Sequence, residues 1–209
     1  MRPIILASQS PRRRELLTAM GLEFAVLPSD FYEELDDTRT PEAVAEELGL
    51  GKAMAVARAR PEAIVIGSDT IATIDGRQLA KAESLAEARS MLHDVTLHPN
   101  KVTSSLAVVC MELGLEFVAS ENAWVHFKPY DAAAVETYLA TGDYKDKAGA
   151  YGIQSGAAPL VERVEGNADT IVGLPTHLLA PQLQRLGFAA AAVEYQLPAE
   201  LQITAASGL

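Results

Sequence analysis

The sequence predicts an α/β fold, and three observations carry the prediction. Short, branched apolar runs at residues 3–7 and 63–72 have the pattern of strands covered on both faces. Each adjoins a helix signal: Ser10-Pro11 follows the first and Thr40-Pro41-Glu42 precedes the second. In both, a hydroxyl can cap free N–H groups and proline suits the first helical position. Residues 101–111 and 116–128 then read as two long strands joined at Leu113-Gly114.

In order along the chain, Leu16, Leu17 and Met20 form the core stripe of the first helix and Gly21 stops it. Residues 23–27 predict a second strand, and 28–39 turn acidic, with Asp30, Glu33, Glu34, Asp36 and Asp37. Residues 43–60 read as helical despite Gly49 and Gly51, with Val44, Leu48 and Ala55 on one face. Gly67-Ser68-Asp69-Thr70 interrupts the strand pattern of 63–72. Asp75-Gly76 is a hairpin signal, after which 78–81 can return antiparallel and bring Lys81 toward Asp69. Ser84 and Glu87 make a capping box for a helix through Leu92.

Trp124 and Phe127 read as core rather than as a platform for bases. Asp131 caps a helix with Val135, Tyr138 and Leu139 inward, ending at Gly142. The glycine-rich stretch 143–156 lets a backbone pass close to another group and offers Lys145, Lys147 and Gln154 as donors. Residues 159–164 predict a strand, Gly166-Asn167 a turn and 170–173 a short extended piece. Pro175 opens a last helix, kinked at Pro181, with Leu178, Leu179, Leu183 and Leu186 inward and Gly187 at its end. A short strand and a peripheral polar tail are expected after Phe188. No repeat or linker divides the chain, and 209 residues suffice for one sizeable core, or two closely joined lobes in a single domain.

Charge narrows the function classes. With 17 Lys and Arg against 28 Asp and Glu, the net charge of -11 disfavours a nucleic-acid polymer as partner, whereas a local cationic site on an acidic body suits a small polyanion. Cys110 is the only cysteine and lies in an apolar run, so it reads as a packed core thiol, with no disulfide framework or cysteine-rich metal site. No apolar run reaches the roughly 18 residues of a membrane span, and the N-terminal run is too short for a signal peptide, so the expected location is the cytoplasm.

Arg12, Arg13 and Arg14 occupy the first turn of the first helix, where the positive end of the dipole disfavours cations by about 0.3–1 kcal/mol each. After Ser8, Gln9 and Ser10, that placement points to an anion, because helix N-termini bind phosphate and arginine adds planar donors. The acidic run at 28–39 is either a solvated loop or a source of hard oxygen ligands for a divalent cation. Lys52 is either an exposed lysine or a contact to phosphate or base. Asp69, a carboxylate in a buried strand pattern, must be paired, metal-bound or bonded into a local turn.

The segments 6–17, Leu27-Pro28-Ser29-Asp30 with Glu33, Gly67-Ser68-Asp69-Thr70, 147–154, and 161–166 with Gly173-Leu174-Pro175 together resemble the Maf family, over nearly the whole chain to about Leu186. The resemblance implies a mixed, elongated α/β sheet with flanking helices and two lobes around a cleft, related to inosine triphosphate pyrophosphatases and often dimeric. It implies a house-cleaning nucleoside triphosphate pyrophosphatase that uses a divalent cation, Mg2+ or Mn2+. Tyr151-Gly152-Ile153-Gln154 resembles the branch acting on dTTP and UTP rather than on 7-methyl-GTP. The family has also been linked to inhibition of septum formation, so a nucleotide-binding regulator with vestigial hydrolysis is the competing expectation.

Carried onto this chain, the resemblance assigns Ser8, Arg12 and Arg13 to the phosphate loop and Glu33, Lys52, Asp69, Lys81 and Gln154 to the functional cleft. Arg12, Arg13, Lys52 and Lys81 would neutralise the triphosphate. Glu33 and Asp69 would hold the metal, with Asp69 the better candidate to activate water. Gln154 suits the edge of a pyrimidine base. The chain departs from the family pattern at Ala80-Lys81-Ala82, where glycine and proline usually flank the lysine. It departs again at Thr96-Leu97-His98-Pro99-Asn100 and at Ser155.

Overall fold

The computed structural model describes residues 1–31, 38–145, 147–154, 156–195 and 202–204. It is an α/β structure built on a mixed sheet flanked by helices. The chain forms two compact units, the first comprising Met1–Thr70, Thr103–Glu121 and Asp169–Tyr195, the second Ile71–Val102, Asn122–Ala168 and Gln196–Leu209.

In the first unit, β1 (Ile4–Leu6) lies between β2 (Ala25–Val26) and β3 (Ile64–Gly67), parallel to both. The far side of β3 pairs antiparallel with β6 (Asn100–Cys110), Ile66 opposite Val108. A single 3-10 turn at Met111–Leu113, closed by Gly114 at φ 59°, leads into β7 (Leu115–Phe127). Strand alternation divides the core. Ile4, Leu6, Ile64 and Ile66 face Leu16 and Leu17 of α1 (Pro11–Ala19) and Leu179 and Leu183 of α6 (Thr176–Arg185). Ile5, Val65 and Ala107 face Ala53, Val56 and Ala57 of α2 (Pro41–Ala59).

Both expected caps form: Ser10 accepts from Arg13 N and Thr40 from Ala43 N. The buried face of α2 differs from the expected one. Ala45, Leu48, Gly49, Lys52, Ala53 and Val56 point inward together with Val44, whereas Ala55 is only half buried. Packing rotates the helix so that its glycine and its lysine, rather than Ala55, meet the sheet. Residues 170–173 are likewise not extended. Residues 170–172 belong to α5 (Ala168–Val172), whose turn is closed by Gly173 N and Leu174 N on the Asp169 carbonyl. The final helix runs on through Pro181 to Arg185.

In the second unit, β4 (Thr70–Ile74) and β5 (Arg77–Gln78) form the expected hairpin, with Asp75 and Gly76 both at positive φ. The return strand is shorter than expected. Leu79 N still reaches the Ala72 carbonyl, but Lys81 then pairs with Ala148 of the glycine-rich stretch. Next come α3 (Leu85–Val95) and α4 (Ala132–Ala140), capped by Ser84 and Asp131. Glu87 completes its cap through Glu83 N rather than Ser84 N. The distal half of β7 pairs antiparallel with β8 (Val161–Glu165), which takes β9 (Gln202–Thr204) alongside in parallel. Among the described residues no helix is long and apolar enough to cross a membrane.

Candidate active site

The connection from β1 to α1 carries the arginine cluster, and its arginines do different things. Arg13 is only 9% exposed, and each nitrogen of its guanidinium donates to the protein. Nε reaches the Gly173 carbonyl at 2.8 Å, Nη1 the Ser8 hydroxyl at 3.1 Å and Nη2 the Thr70 hydroxyl at 3.1 Å. Those acceptors offset the cost of a cation in the first turn. Arg12 is half buried and Arg14 exposed, and among the described residues neither guanidinium has a partner. Ser8 Oγ accepts from Arg13 Nη1 and, at 3.2 Å, from Ser10 N. Both of its lone pairs are thereby occupied, so among the described residues its hydrogen is the part left for a ligand.

Lys52 and Asp69 form the other half of the predicted set in this unit. Lys52 Nζ lies 2.5 Å from Asp69 Oδ1, with both residues buried to within 9% of full enclosure. Two glycines make the meeting possible. A Cβ on Gly67 would stand 2.3 Å from the Gly49 carbonyl and 2.9 Å from Ala53 N, and one on Gly49 would stand 2.4 Å from Ser105 Oγ. Backbone therefore lies directly on backbone where α2 crosses β3. Ser105 ties the crossing by donating to the Ala45 carbonyl at 2.6 Å and accepting from Asp69 N at 3.0 Å. A buried pair of this kind is costly to break from one side, by about 3–5 kcal/mol, because a buried charge is left alone.

Asp69 and Arg13 approach the same strand ends from opposite faces. Ser68 donates to the Gly173 carbonyl at 2.8 Å and Thr70 meets Arg13, while Asp69 between them turns to α2. Both gather at the carboxyl ends of the parallel strands β1 and β3, the edge at which open α/β sheets bind their ligands. Glu33, the other expected metal ligand, lies outside the described residues.

The second unit holds Lys81 and Gln154. Lys81 is exposed, and its backbone is fixed against the glycine-rich stretch by the pairing with Ala148 and by Gly149 N on the Ala80 carbonyl at 3.0 Å. Gly149 and Ala150 both lie at positive φ, and Gln154 further along the stretch is half buried. Tyr151 anchors it, buried with its ring edge-on to Phe127 at 4.8 Å. Lys147, one of the expected donors, is instead spent on the stretch itself through the Asp143 carboxylate at 2.8 Å.

Glu121, Asp169 and His177 form a further cluster, with ligand atoms within 4.8 Å of one another, and so have the composition to hold a metal ion. Internal bonds already satisfy much of it. Asp169 accepts from Thr170 N, Thr176 N and Thr176 Oγ1, Thr170 Oγ1 donates to Glu121, and His177 Nε2 lies 2.9 Å from Glu121 Oε1. Hydrogen bonds to Asp169 and Glu121 push the imidazole up to about 9. Burial pushes the Asp169 carboxyl up, but its bonds to His177 and Thr176 outweigh that and hold it below the usual range.

Since the folded-state value of His177 is raised above its ordinary one, its stabilisation is fully present below about pH 6.5 and is lost as the pH rises through about 9. The urea midpoint should therefore fall between about pH 6.5 and 9.5, and His177→Gln should flatten that fall. An unchanged slope in the variant would show that another group titrates.

The sequence singled out Gly67-Ser68-Asp69-Thr70 without a role for Ser68 or Thr70, and it left out Ser104, Ser105 and the turn from Asp169 to Thr176. A signal was present: Thr103-Ser104-Ser105 directly precedes the apolar run from Leu106 to Cys110 in one strand, and buried hydroxyls require partners.

Fold and site together define a mixed α/β protein whose first helix starts with a capped, arginine-rich turn beside a buried lysine–aspartate pair. The comparisons give the family: the chain belongs to the Maf family, whose profile, described as Maf-like protein, matches residues 3–186. A dTTP/UTP pyrophosphatase of Symbiobacterium thermophilum is 39% identical over 188 residues, covering 90% of this chain and 96% of that protein. The dTTP/UTP pyrophosphatase of Moorella thermoacetica is 42% identical over 175 residues, 84% and 90% of the two chains. That of Shouchella clausii is 38% identical over 185 residues, 88% and 96%.

Proposed function

We propose that this chain, read as a single Maf-like domain over residues 1–209, hydrolyses dTTP or UTP to the monophosphate and pyrophosphate. The observation that carries the reading is the buried Lys52–Asp69 pair, set at the same strand ends as the arginine-rich start of α1. A protein that only gripped phosphate would gain nothing from a carboxylate there. The names of the relatives support the same chemistry.

In this reading the Ser8 hydroxyl, the N–H groups at the start of α1 and the Arg12 guanidinium bind the phosphate tail, and Arg13 adds fixed positive charge. For the second unit the same reading takes Lys81 as a cation suited to a triphosphate and Gln154 as a side chain suited to a pyrimidine edge. Asp69 orients a water and takes its proton as the oxygen attacks the α-phosphorus. The bond to the α–β bridging oxygen breaks and pyrophosphate leaves. Lys52 holds the Asp69 carboxylate in place.

A divalent cation fits the donor set. Among the described residues Asp69 is held through Oδ1 alone, so Oδ2 presents a hard oxygen of the kind Mg2+ and Mn2+ take, with Glu33 as its partner ligand. The cation, when bound, supplies Lewis-acid polarisation of the phosphate oxygens. Glu121, Asp169 and His177 suit it less, since an imidazole favours other metals and their oxygens are already bonded.

The test is a nucleotide screen with Mg2+ or Mn2+ that scores both phosphate products. Pyrophosphate and monophosphate in equal amounts from dTTP or UTP are expected. Orthophosphate as the first product, or binding without turnover across common and modified nucleotides including 7-methyl-GTP, would overturn the reading. Arg12→Ala should raise KM about tenfold or more with a smaller change in kcat, as for a lost charge-assisted contact. An unchanged KM would remove Arg12 from the phosphate site.

A further inference from the structure

Arg13 is held by a hydrogen-bond chain whose direction can be worked out by counting protons. Ser104, fully buried in β6, donates its single hydroxyl hydrogen to the Thr170 carbonyl at 2.6 Å, since a carbonyl can only accept. The contact of 2.9 Å between Ser104 Oγ and Thr70 Oγ1 must then use the hydrogen of Thr70. Thr70 Oγ1 is left with lone pairs facing Arg13, and Arg13 Nη2 donates into them at 3.1 Å.

The chain runs one way, from guanidinium through two hydroxyls to a backbone carbonyl of α5. It is closed on its other side by Gly173, whose carbonyl takes both Arg13 Nε and Ser68 Oγ at 2.8 Å. Gly173 sits at φ 116°, and a Cβ there would stand 3.0 Å from Thr70 Oγ1. The backbone thus passes tightly against the chain, and a side chain there would have to push the Thr70 hydroxyl aside.

We propose that Thr70 and Ser104 are positioning residues for Arg13: Ser104 fixes the Thr70 hydroxyl as an acceptor, and that acceptor sets the direction in which the guanidinium presents its charge at the mouth of α1. The inference rests on the reading of that mouth as the triphosphate site. It assigns a functional reason to two hydroxyls, one fully buried in β6 and one half buried at the start of β4.

Thr70→Val keeps the shape and removes the acceptor, Thr70→Ser keeps the acceptor, and Ser104→Ala frees the Thr70 hydroxyl to rotate. With dTTP or UTP, Thr70→Val should raise KM about tenfold while kcat stays within about threefold, Ser104→Ala should do the same to a smaller degree, and Thr70→Ser should return near the parent. In a chain already carrying Arg13→Lys, Thr70→Val should add nothing, because the effect acts through Arg13. Should Thr70→Val fail to fold, the same cycle with Ser104→Ala and Arg13→Lys carries the test. A parental KM in Thr70→Val, or an equal cost with and without Arg13→Lys, would overturn the proposal while leaving the activity standing. A parent chain that neither turns over nucleotide nor binds inorganic tripolyphosphate would sink the functional reading and this inference together.

Discussion

Asp69→Asn should abolish pyrophosphate release, with kcat down by about 10²–10⁴-fold, the range for loss of a positioned general base. The amide has nearly the shape of the carboxylate but cannot take the proton of an attacking water, and it leaves the Lys52 ammonium without its charge partner at 2.5 Å. Nucleotide binding should survive, because the groups assigned to grip the phosphate tail, Ser8 and Arg12, stand outside the pair. Initial rates together with a nucleotide titration check both halves. Retained turnover would show that Asp69 is a structural carboxylate. Binding lost together with turnover would place it in substrate attachment rather than in the chemical step.

Gly67→Ala should be among the most damaging single-methyl changes in the chain. Its Cβ would meet backbone, the Gly49 carbonyl at 2.3 Å and Ala53 N at 2.9 Å, so relief requires moving α2 away from β3. Overpacking of this sort costs about 1–3 kcal/mol, and the upper end applies where the clash is with backbone. In a chain of this size that lowers Tm by about 6–12 °C. Activity should fall further than stability accounts for, because the displaced helix carries Lys52. Gly49→Ala should be milder, since its clash is with the Ser105 hydroxyl rather than with backbone. Thermal unfolding of the two variants tests the order. A Gly67→Ala chain as stable as the parent would mean that the approach of α2 to β3 is looser than described.

These expectations show which parts of the molecule could be read from the chain. The start of α1 was legible because a cap, a proline and a run of arginines are local chemistry, and Ser10 does accept from Arg13 N. Asp69 stood out because a carboxylate in a buried strand must have a partner. Its partner was less legible, since the inward face of α2 is set by which residues let the helix approach the sheet. Gly49 allows that approach, and the face turns to include Lys52 and leave Ala55 at the edge.

The role of Arg13 could not be read at all. Its acceptors come from residues 8, 70 and 173, distant in sequence, and nothing local distinguishes it from Arg12. The helix at Ala168–Val172 was hidden for a similar reason. Thr170-Ile171-Val172 has the branched composition of a strand, and only the Asp169 carboxylate and carbonyl, gathering N–H groups from residues 170, 173, 174 and 176, fold it into a turn of helix. Lys81 was expected on an extended return strand of the hairpin, whereas its backbone pairs with Ala148 of the glycine-rich stretch, a contact between segments distant in sequence.

The measurement that bears most directly on the proposed chemistry is hydrolysis of dTTP or UTP in water enriched with oxygen-18, followed by mass analysis of both products. Attack on the α-phosphorus by a water that Asp69 activates places the heavy oxygen in the nucleoside monophosphate and leaves the pyrophosphate unlabelled. Label in the pyrophosphate, or in orthophosphate, would mean that water attacks a different phosphorus, and the assignment of Asp69 and the α1 mouth to this reaction would be wrong.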